Sequence, residues 1–352
     1  MIKQRTYETI GFSNKITLIQ FILSVAIVYQ HTQWRYSGGI IFINKIHEFL
    51  FYLFEAAVPM FFMISGYLFY RTFSIEKTKE KLKSRVKTLL VPYLIWNVVY
   101  AVFFVTMSLI GFVKNIHIEW NGKIVLQILN SDFSPLWFVK YLMIFTLIAP
   151  IMYYVFKNKY FGAIAILGMI SLNVLAYVFG IIKAPLDVNE NSIVMLNYQY
   201  IFYAIGAWAG LNCRDWVENP TKSKRIISLV AVCVLCAVYF TPIFKIDVIV
   251  SHTFRIFFAI AVWFVFDWVP EIKMNSWLKM SFWIYCTHTI VIQCIQRVIS
   301  IVLSDFIGAT NLLWVAEWFI LPIVVVIALI FIGIYMQKYL SKVYNVVTGN
   351  RT

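Results

Sequence analysis

The chain consists of long apolar stretches separated by short polar segments. A helix that crosses a bilayer needs about twenty consecutive apolar residues, and counting stretches of that length predicts ten spans. They cover approximately residues 16–34, 48–70, 89–112, 136–156, 161–181, 197–212, 226–243, 249–267, 281–303 and 312–337. We therefore expect an all-α, polytopic integral membrane protein in which residues 1–352 form a single membrane-embedded domain.

The overall composition supports a membrane protein. Hydrophobic residues make up 61% of the 352 positions and charged residues only 13%, which leaves too little polar surface to cover a soluble globule of this size. The aromatic fraction of 18% suits side chains that pack a helical core and anchor it at the two interfaces. A net charge of +14 is also found in nucleic-acid-binding proteins, but basic cytoplasmic loops explain it better here.

The distribution of lysine and arginine predicts the orientation. With the N-terminus inside, 21 of the 30 basic residues fall in inner segments, six in outer loops and three within spans. Short cytoplasmic loops carry such an excess of positive charge, so both termini are expected in the cytoplasm. The first dozen residues are polar and no small-residue cleavage site follows them, so we expect the first span to be retained.

The five cysteines do not indicate a metal or disulfide site. They lie almost entirely in apolar stretches, their number is odd, and their spacing fits no common metal-ligand pattern. Cys233 and Cys236 form a CxxC, but within an apolar helix, where small buried cysteines usually serve packing. We predict no bound metal.

Ionisable residues inside the predicted spans are the strongest indication of function, because a charge near the bilayer centre costs at least about 2.5–3.5 kcal/mol. Six such groups, from six different spans, are placed in the outer half of the membrane: His31, Glu55, Lys140, Arg255, Arg297 and Glu317. We expect them to converge on one aqueous cavity. The alternative is structural: Glu55 and Glu317 neutralise Arg255, Arg297 or Lys140 in buried pairs, while Lys140 and Glu317 extend to the interface.

The inner half of the predicted bundle is almost free of polar groups. Gln20 and His288 interrupt it, and a lone histidine at such a depth is also common as a packed, hydrogen-bonded core residue. Below it, the segment 71–87 carries seven basic residues. It suits a phosphorylated cytosolic donor, although ordinary positive-inside bias or anionic lipid would account for the same charges.

Several motifs resemble the acyltransferase 3 family of membrane-bound acyltransferases, which acylate surface polysaccharides and related glycans. The similar stretches occur in order along the chain: AVPMFFMISGYLFY (57–70), RVKTLLVPYLIW (85–96), PLWFVKYL (135–142), IFYAIGAWAG (201–210) and SFWIYCTHTIV (281–291). The family marker is a basic residue, ten intervening residues and a histidine in the first span. His31 matches the histidine, but Gln20 occupies the basic position, and Thr88 and Glu55 are two further departures.

The resemblance implies a reaction and a location. Cytosolic acyl-CoA, with acetyl-CoA the expected co-substrate, would donate its acyl group to a hydroxyl of a cell-surface or lipid-linked glycan at a bacterial-type inner membrane. His31 would act as the general base, Arg255, Arg297 or Lys140 would stabilise the oxyanion, and Glu55 or Glu317 would orient His31.

The residue assignments that follow from this reading fall into three groups. The expected catalytic residues are His31, Glu55 and Arg255; the expected substrate-binding residues are Gln20, Lys140, Trp137, His288, Arg297 and Glu317; and the expected acyl-CoA-binding residues are Lys83, Arg85 and Lys87. The bilayer and the glycan acceptor are the other expected partners, and nucleic acid is not.

Two other functions fit parts of the pattern. Ten spans around a charged cavity also suit a transporter or glycan exporter that works by alternating access, although no inverted repeat is detectable. The glutamine at position 20 is also consistent with a catalytically altered relative or a sensor.

Overall fold

The computed structural model describes residues 10–112, 123–181, 198–241, 248–303, 308 and 310–351, with side chains described outside 248–253. Within these ranges the chain is helical and contains no β-strand. The all-α prediction is therefore confirmed for the described residues. Helices pair the backbone N–H and C=O groups of all but their terminal turns internally, which a membrane interior requires.

Sixteen α-helices are described, and we number them in chain order. They are α1 Phe12–His31, α2 Ile41–Glu55, α3 Ala57–Tyr70, α4 Thr78–Arg85, α5 Val91–Leu109, α6 Ile124–Asn130, α7 Trp137–Leu147, α8 Ala149–Phe156, α9 Lys159–Val178, α10 Tyr198–Asn212, α11 Arg214–Glu218, α12 Lys222–Tyr239, α13 Val248–Val265, α14 Ser281–Leu303, α15 Leu313–Tyr339 and α16 Ser341–Thr348. A π-helical turn, Val86–Leu90, joins α4 to α5.

Six helical segments among the described residues are long and apolar enough to cross a membrane. They are Phe12–His31, Ile41–Tyr70, Ile75–Leu109, Lys159–Val178, Ser281–Leu303 and Leu313–Tyr339. The pair α7 and α8, bent by 69°, makes up to seven if it counts as one broken span. By length and composition alone, the described helices therefore do not provide the ten predicted spans. The other three predicted spans coincide with α10, α12 and α13, so helices form there, but whether they cross the membrane stays a prediction.

The chain divides into two compact units, each built from three segments. Unit 1 contains Met1–Leu23, Glu55–Thr78 and Ile148–Met274, and unit 2 contains Ser24–Phe54, Lys79–Leu147 and Asn275–Thr352. The division falls inside α1, whose first half belongs to unit 1 and whose second half belongs to unit 2.

Unit 1 is centred on the packing of α3 against α10. A Cβ atom on Gly206 would lie 2.0 Å from the carbonyl oxygen of Met63, and one on Gly66 would lie 2.3 Å from that of Tyr203. Glycine is therefore required at both positions for the two backbones to approach so closely. Gly206 and Gly210 form the G-x-x-x-G spacing that membrane helices use for such contacts.

Two ion pairs fasten further parts of unit 1. Arg71, just after α3, forms a pair with Glu218 of α11 at 2.6 Å (Nε–Oε1). Burial alone would raise the pKa of Glu218, but hydrogen bonds from Arg71 and Tyr67 outweigh it and lower that pKa below its ordinary value. Deeper in the unit, the Lys15 ammonium lies 2.6 Å from the Asp267 carboxylate and is 2% exposed.

Unit 2 is held together by hydrogen bonds between side chains and the backbone of neighbouring helices. The hydroxyl of Tyr100 on α5 donates to the Cys286 carbonyl of α14 at 3.0 Å. The indole of Trp283 on α14 donates to the Leu329 carbonyl of α15 at 2.9 Å. The hydroxyl of Tyr29 on α1 donates to the Phe319 carbonyl of α15, also at 2.9 Å. These contacts place the end of α1 beside α15.

Candidate active site

His31 is the last residue of α1, and its neighbours in sequence fix that helix end. The Thr32 hydroxyl donates to the Val28 carbonyl at 2.9 Å. The backbone N–H of Gln33 donates to the side-chain oxygen of Gln296 on α14 at 3.3 Å. The His31 side chain is exposed. The structure therefore places an exposed imidazole at an anchored helix end.

The ring in contact with His31 belongs to His288 of α14. Their centroids are 5.0 Å apart, and the ring planes are inclined by 55°. His288 is completely buried. Its Nδ1 lies 3.1 Å from the Ile284 carbonyl oxygen and 2.8 Å from that of Tyr285. His288 is thus both the hydrogen-bonded core residue that the sequence allowed and a neighbour of the candidate base.

A polar cluster lies further along α14. The Arg35 guanidinium donates to the Gln296 carbonyl at 2.7 Å and lies 3.7 Å from the Glu317 carboxylate (Nη1–Oε1). The side-chain amide of Gln296 approaches Glu317 at 3.5 Å. Gln296 follows His288 by eight residues, which is about 12 Å along a helix.

Three buried polar atoms in this region have no hydrogen-bond partner among the described residues. They are Nη1 of Arg35, Oε2 of Glu317 and Nε1 of Trp318. The Glu317 side chain is only 8% exposed, and Trp318 is fully buried. Buried polar groups normally find partners, so this arrangement of two donors and one acceptor suits a ligand that carries hydroxyl groups.

Aromatic rings line the same part of unit 2. The indole of Trp34 stacks on the His47 imidazole, with centroids 4.1 Å apart, and meets Trp318 edge-on at 5.7 Å. The Arg35 guanidinium lies over the Trp314 ring at 5.2 Å. Rings packed in this way give the region a rigid apolar wall.

The remaining predicted charges have other partners. Glu55 pairs with Arg255 in unit 1 at 2.7 Å, so the structural alternative applies to these two residues. In unit 2, the Lys140 ammonium donates to the Asn130 carbonyl at 3.1 Å, and the Arg297 guanidinium lies 6.0 Å from the Phe112 ring centroid. Convergence of all six groups on one cavity stays a prediction.

Trp137 and the expected donor-binding residues are also placed. Trp137 begins α7 and meets the Tyr141 ring at 6.2 Å. Lys83 and Lys87 are exposed, and Arg85 is half-buried. Lys83 and Arg85 occupy the last turn of α4, and Lys87 the π-helical turn after it. The structure leaves the two lysines accessible to an anionic ligand.

Gln20 lies on α1, eleven residues before His31. Eleven residues are about three helical turns, so both side chains belong to the same face of α1, roughly 16 Å apart along it. Lys15, the nearest cation on this helix, is buried against Asp267 and its ammonium lies 4.1 Å from the centre of the Trp263 ring. It is therefore engaged within the protein and does not replace the missing basic residue.

Unit 1 also contains an apolar groove of about 470 Å³. Residues of α1, α3, α9, α10, α11 and α13 line it, among them Met60, Lys159, Trp208 and Trp263. None of the predicted site residues lines it. No group of three or more histidine, cysteine or acidic side chains within the described ranges is placed to hold a metal ion.

Sequence reasoning missed Arg35, Gln296 and Trp318. Arg35 was counted only as an outer-loop charge, although it follows the candidate base by four residues. Gln296 is a polar residue within an apolar stretch, next to the predicted Arg297, and this could have indicated it. Nothing in the sequence distinguishes Trp318 from the other eleven tryptophans.

Comparison with protein families decides the assignment. A model of the acyltransferase 3 family, described as an acyltransferase domain, matches residues 13–336. The chain belongs to this acyltransferase family. The match runs from the start of α1 almost to the end of α15, so it includes His31, His288 and Glu317.

One named protein is distantly similar to this chain. The succinoglycan biosynthesis protein ExoH of Rhizobium meliloti (strain 1021) is 24% identical over 304 residues, which is 78% of this chain and 77% of ExoH. No solved structure matches. The family membership establishes a membrane acyltransferase, and the resemblance noted from the motifs is thereby confirmed.

Proposed function

We propose that this membrane acyltransferase is an O-acyltransferase that moves an acyl group, most simply acetyl, from cytosolic acyl-CoA to a hydroxyl of a surface polysaccharide or lipid-linked glycan. The bacterial-type inner membrane is the proposed location. The family match supports acyl transfer over the transporter alternative. A relative named for succinoglycan biosynthesis supports a glycan as acceptor.

The proposed reaction is a direct transfer with His31 as general base. One ring nitrogen of neutral His31 takes the proton of the acceptor hydroxyl. At the same time, the hydroxyl oxygen attacks the carbonyl carbon of the thioester. The carbon–sulfur bond then breaks, and the thiolate of coenzyme A receives the proton from His31. The products are the O-acyl ester and free coenzyme A, and His31 is neutral again.

The structural observation that most directly supports this proposal is the exposed imidazole of His31 at the anchored end of α1. A general base must be accessible to the hydroxyl that it deprotonates. An imidazole is also neutral at about pH 7, and is therefore able to accept a proton. No described carboxylate contacts His31, so the orienting acid expected from the sequence has no counterpart among these residues.

The polar cluster of Arg35, Gln296 and Glu317 is the proposed acceptor site. A sugar hydroxyl both donates and accepts hydrogen bonds, and it would satisfy the unpaired Glu317 oxygen and the Arg35 nitrogen together. Substrate roles for Lys140, Trp137 and Arg297 stay predictions.

The donor is expected to bind by its phosphates. Lys83, Arg85 and Lys87 form a basic segment just before α5, and charge-assisted hydrogen bonds to phosphate are strong. The two exposed lysines are available for such bonds. Acyl-CoA is a co-substrate in this scheme, not a resident cofactor.

The proposal is tested by comparing cells with and without the protein. Mass spectrometry of their surface glycans should show one additional acyl group per modified sugar in cells that express it, and no addition with His31→Ala, because loss of a general base costs about 10²- to 10⁴-fold in rate. Lys45→Ala is the control, since Lys45 is an exposed residue of α2 that the proposed site does not use.

Two results would contradict the proposal. Identical glycan masses with and without the protein would remove the O-acyltransferase function. Wild-type acylation by the His31→Ala variant would keep the function but remove His31 as the base.

A further inference from the structure

The protonation of the buried His288 ring is fixed by its surroundings. Its Nδ1 contacts two backbone carbonyl oxygens, those of Ile284 and Tyr285, at 3.1 and 2.8 Å. A carbonyl oxygen only accepts hydrogen bonds, so Nδ1 must carry the hydrogen. In the neutral ring, Nε2 is then an acceptor with a free lone pair.

Two further groups lie close to the His288 ring. The Thr289 hydroxyl is 3.2 Å from Nε2, and the His31 ring is in contact, with centroids 5.0 Å apart. The Thr289 hydroxyl rotates about its C–O bond and both donates and accepts hydrogen bonds. It therefore does not hold the Nε2 lone pair permanently.

We infer that His288 is the positioning residue for His31. Its Nε2 accepts the N–H of one His31 nitrogen and so directs the unprotonated nitrogen of His31 toward the acceptor hydroxyl. The inference rests on the proposed role of His31 as general base. His288 takes the place that a carboxylate holds in a catalytic triad: it selects the tautomer and orients the ring.

A neutral partner is suited to this depth in the protein. His288 is fully buried, and a carboxylate at the same position would need a compensating charge to offset its desolvation. An imidazole whose Nδ1–H is already satisfied by backbone carbonyls provides an acceptor without adding charge. When His31 takes up the substrate proton, the hydrogen bond to His288 becomes charge-assisted and strengthens.

Two amide substitutions separate the positioning role from a packing role. In His288→Gln, the longer amide places an acceptor oxygen near the former Nε2 position. In His288→Asn, the amide nitrogen stays near the former Nδ1 and retains the contacts with the Ile284 and Tyr285 carbonyls, but no acceptor reaches His31. The matched control is Thr287→Val, a neighbouring buried position whose hydroxyl donates to the Trp283 carbonyl in its own helix.

Kinetics of the full-length purified protein give the first measurement, with acetyl-CoA as donor and base-treated, de-esterified surface polysaccharide as acceptor. We expect His288→Asn to lower kcat about 10- to 100-fold, as the loss of an orienting partner typically does, with KM values unchanged. His288→Gln should recover much of the loss, and Thr287→Val should match wild type. Full kcat for His288→Asn, with His31→Ala inactive, would overturn the inference while leaving the function intact.

A second measurement does not depend on turnover. Diethyl pyrocarbonate modifies an unprotonated imidazole nitrogen, and the exposed His31 is accessible to it. A hydrogen bond from one ring nitrogen makes the other more nucleophilic. At one fixed pH, peptide mass spectrometry should show several-fold slower modification of His31 in His288→Asn than in wild type or His288→Gln. Equal rates in all three would overturn the inference even if the acyl donor is not acetyl-CoA.

Discussion

The Glu317 carboxylate forms only long, weak contacts with the described residues around it. Its nearest charged partner, Arg35, lies at 3.7 Å, its hydrogen bond from Gln296 is 3.5 Å long, and its second oxygen has no partner among the described residues. Removing a charge from water costs several kcal/mol unless good hydrogen bonds replace the lost solvation. A ligand hydroxyl would supply that replacement, so the poor geometry is better explained by binding than by stability.

The substitution Glu317→Gln tests this explanation. It preserves the shape of the side chain but loses a hydrogen bond to a charged acceptor, which is worth about 1.5–3 kcal/mol. We expect the KM for the glycan acceptor to rise about ten-fold or more, with the KM for acyl-CoA unchanged, in steady-state transfer assays. Glu48→Gln, at an exposed glutamate of α2, is the control. An unchanged acceptor KM would show that Glu317 serves structure alone.

At position 20 the chain departs from the pattern of its family. The structure shows that Lys15 does not compensate, because its ammonium is buried between Asp267 and the Trp263 ring. A cation for the donor must therefore come from elsewhere, and the exposed Lys83 and Lys87 are available. In the proposed function, the segment before α5 would therefore contact the phosphates of acyl-CoA, and α1 would supply the base.

The packing of α3 on α10 shows how glycine spacing determines which helices pair. Between membrane helices there is little hydrophobic driving force, so close van der Waals contact supplies much of the attraction. Gly66 on α3, and Gly206 and Gly210 on α10, bring the two backbones together. Because α10 has only 15 residues, this contact also anchors a helix that is short for a span.

Replacing Gly206 by alanine should separate these helices. The added Cβ would lie 2.0 Å from the Met63 carbonyl oxygen, so the backbones must move apart, and overpacking of this kind costs about 1–3 kcal/mol. We expect a lower apparent melting temperature for the purified protein. Gly168→Ala on α9 is the control, since nothing lies within 4 Å of its added Cβ, and its melting temperature should not fall. Equal stability of both variants would refute the close-contact interpretation.

The elements were largely predictable, because a membrane interior allows few backbone conformations. Each predicted span coincides with a described helix or a bent pair of helices, since an apolar stretch of this length has to satisfy its hydrogen bonds internally. The bend between α7 and α8 was not foreseen. It falls at Leu147 and Ile148, just before the Pro150 that occupies the first turn of α8, and proline cannot continue the hydrogen bonding of a preceding helix.

The pairing of charges was not predictable to the same degree. The sequence gives the depth of each ionisable residue, but several partners are possible at equal depth, and only the packing of helices selects among them. Thus the pairing of Glu55 with Arg255 was one of several alternatives. Arg35 was assigned to a loop because it follows the end of the apolar stretch, yet the chain folds back and places it against α14 and α15.

On the scale of the whole chain, the number of membrane crossings decides where the two termini lie. Ten crossings, as predicted from the sequence, would place both termini on the same side of the membrane, and six crossings would do the same. Seven, reached if α7 and α8 form one span, places them on opposite sides. The excess of basic residues in alternate loops favours an even number with both termini in the cytoplasm.

Whether α10 crosses the membrane determines the orientation of every segment that follows it. Its 15 residues rise about 22 Å, less than the roughly 30 Å of a hydrocarbon core. Most of its residues are nevertheless buried within unit 1, and four basic residues follow it between Arg214 and Arg225. A helix shielded by its neighbours does not need to match the thickness of the lipid, and the basic residues favour an inner location for its C-terminal end. We therefore expect α10 to cross.

Reporter fusions in a bacterial host test this expectation. Alkaline phosphatase, which is active only outside the inner membrane, should be active when fused after Gly180, at the end of α9, and inactive after Asn219, at the end of α11. Green fluorescent protein should show the reverse pattern, and should also fluoresce at the C-terminus. The same reporter active after both Gly180 and Asn219 would show that α10 does not cross, and the inner and outer assignment of every following segment would then be inverted.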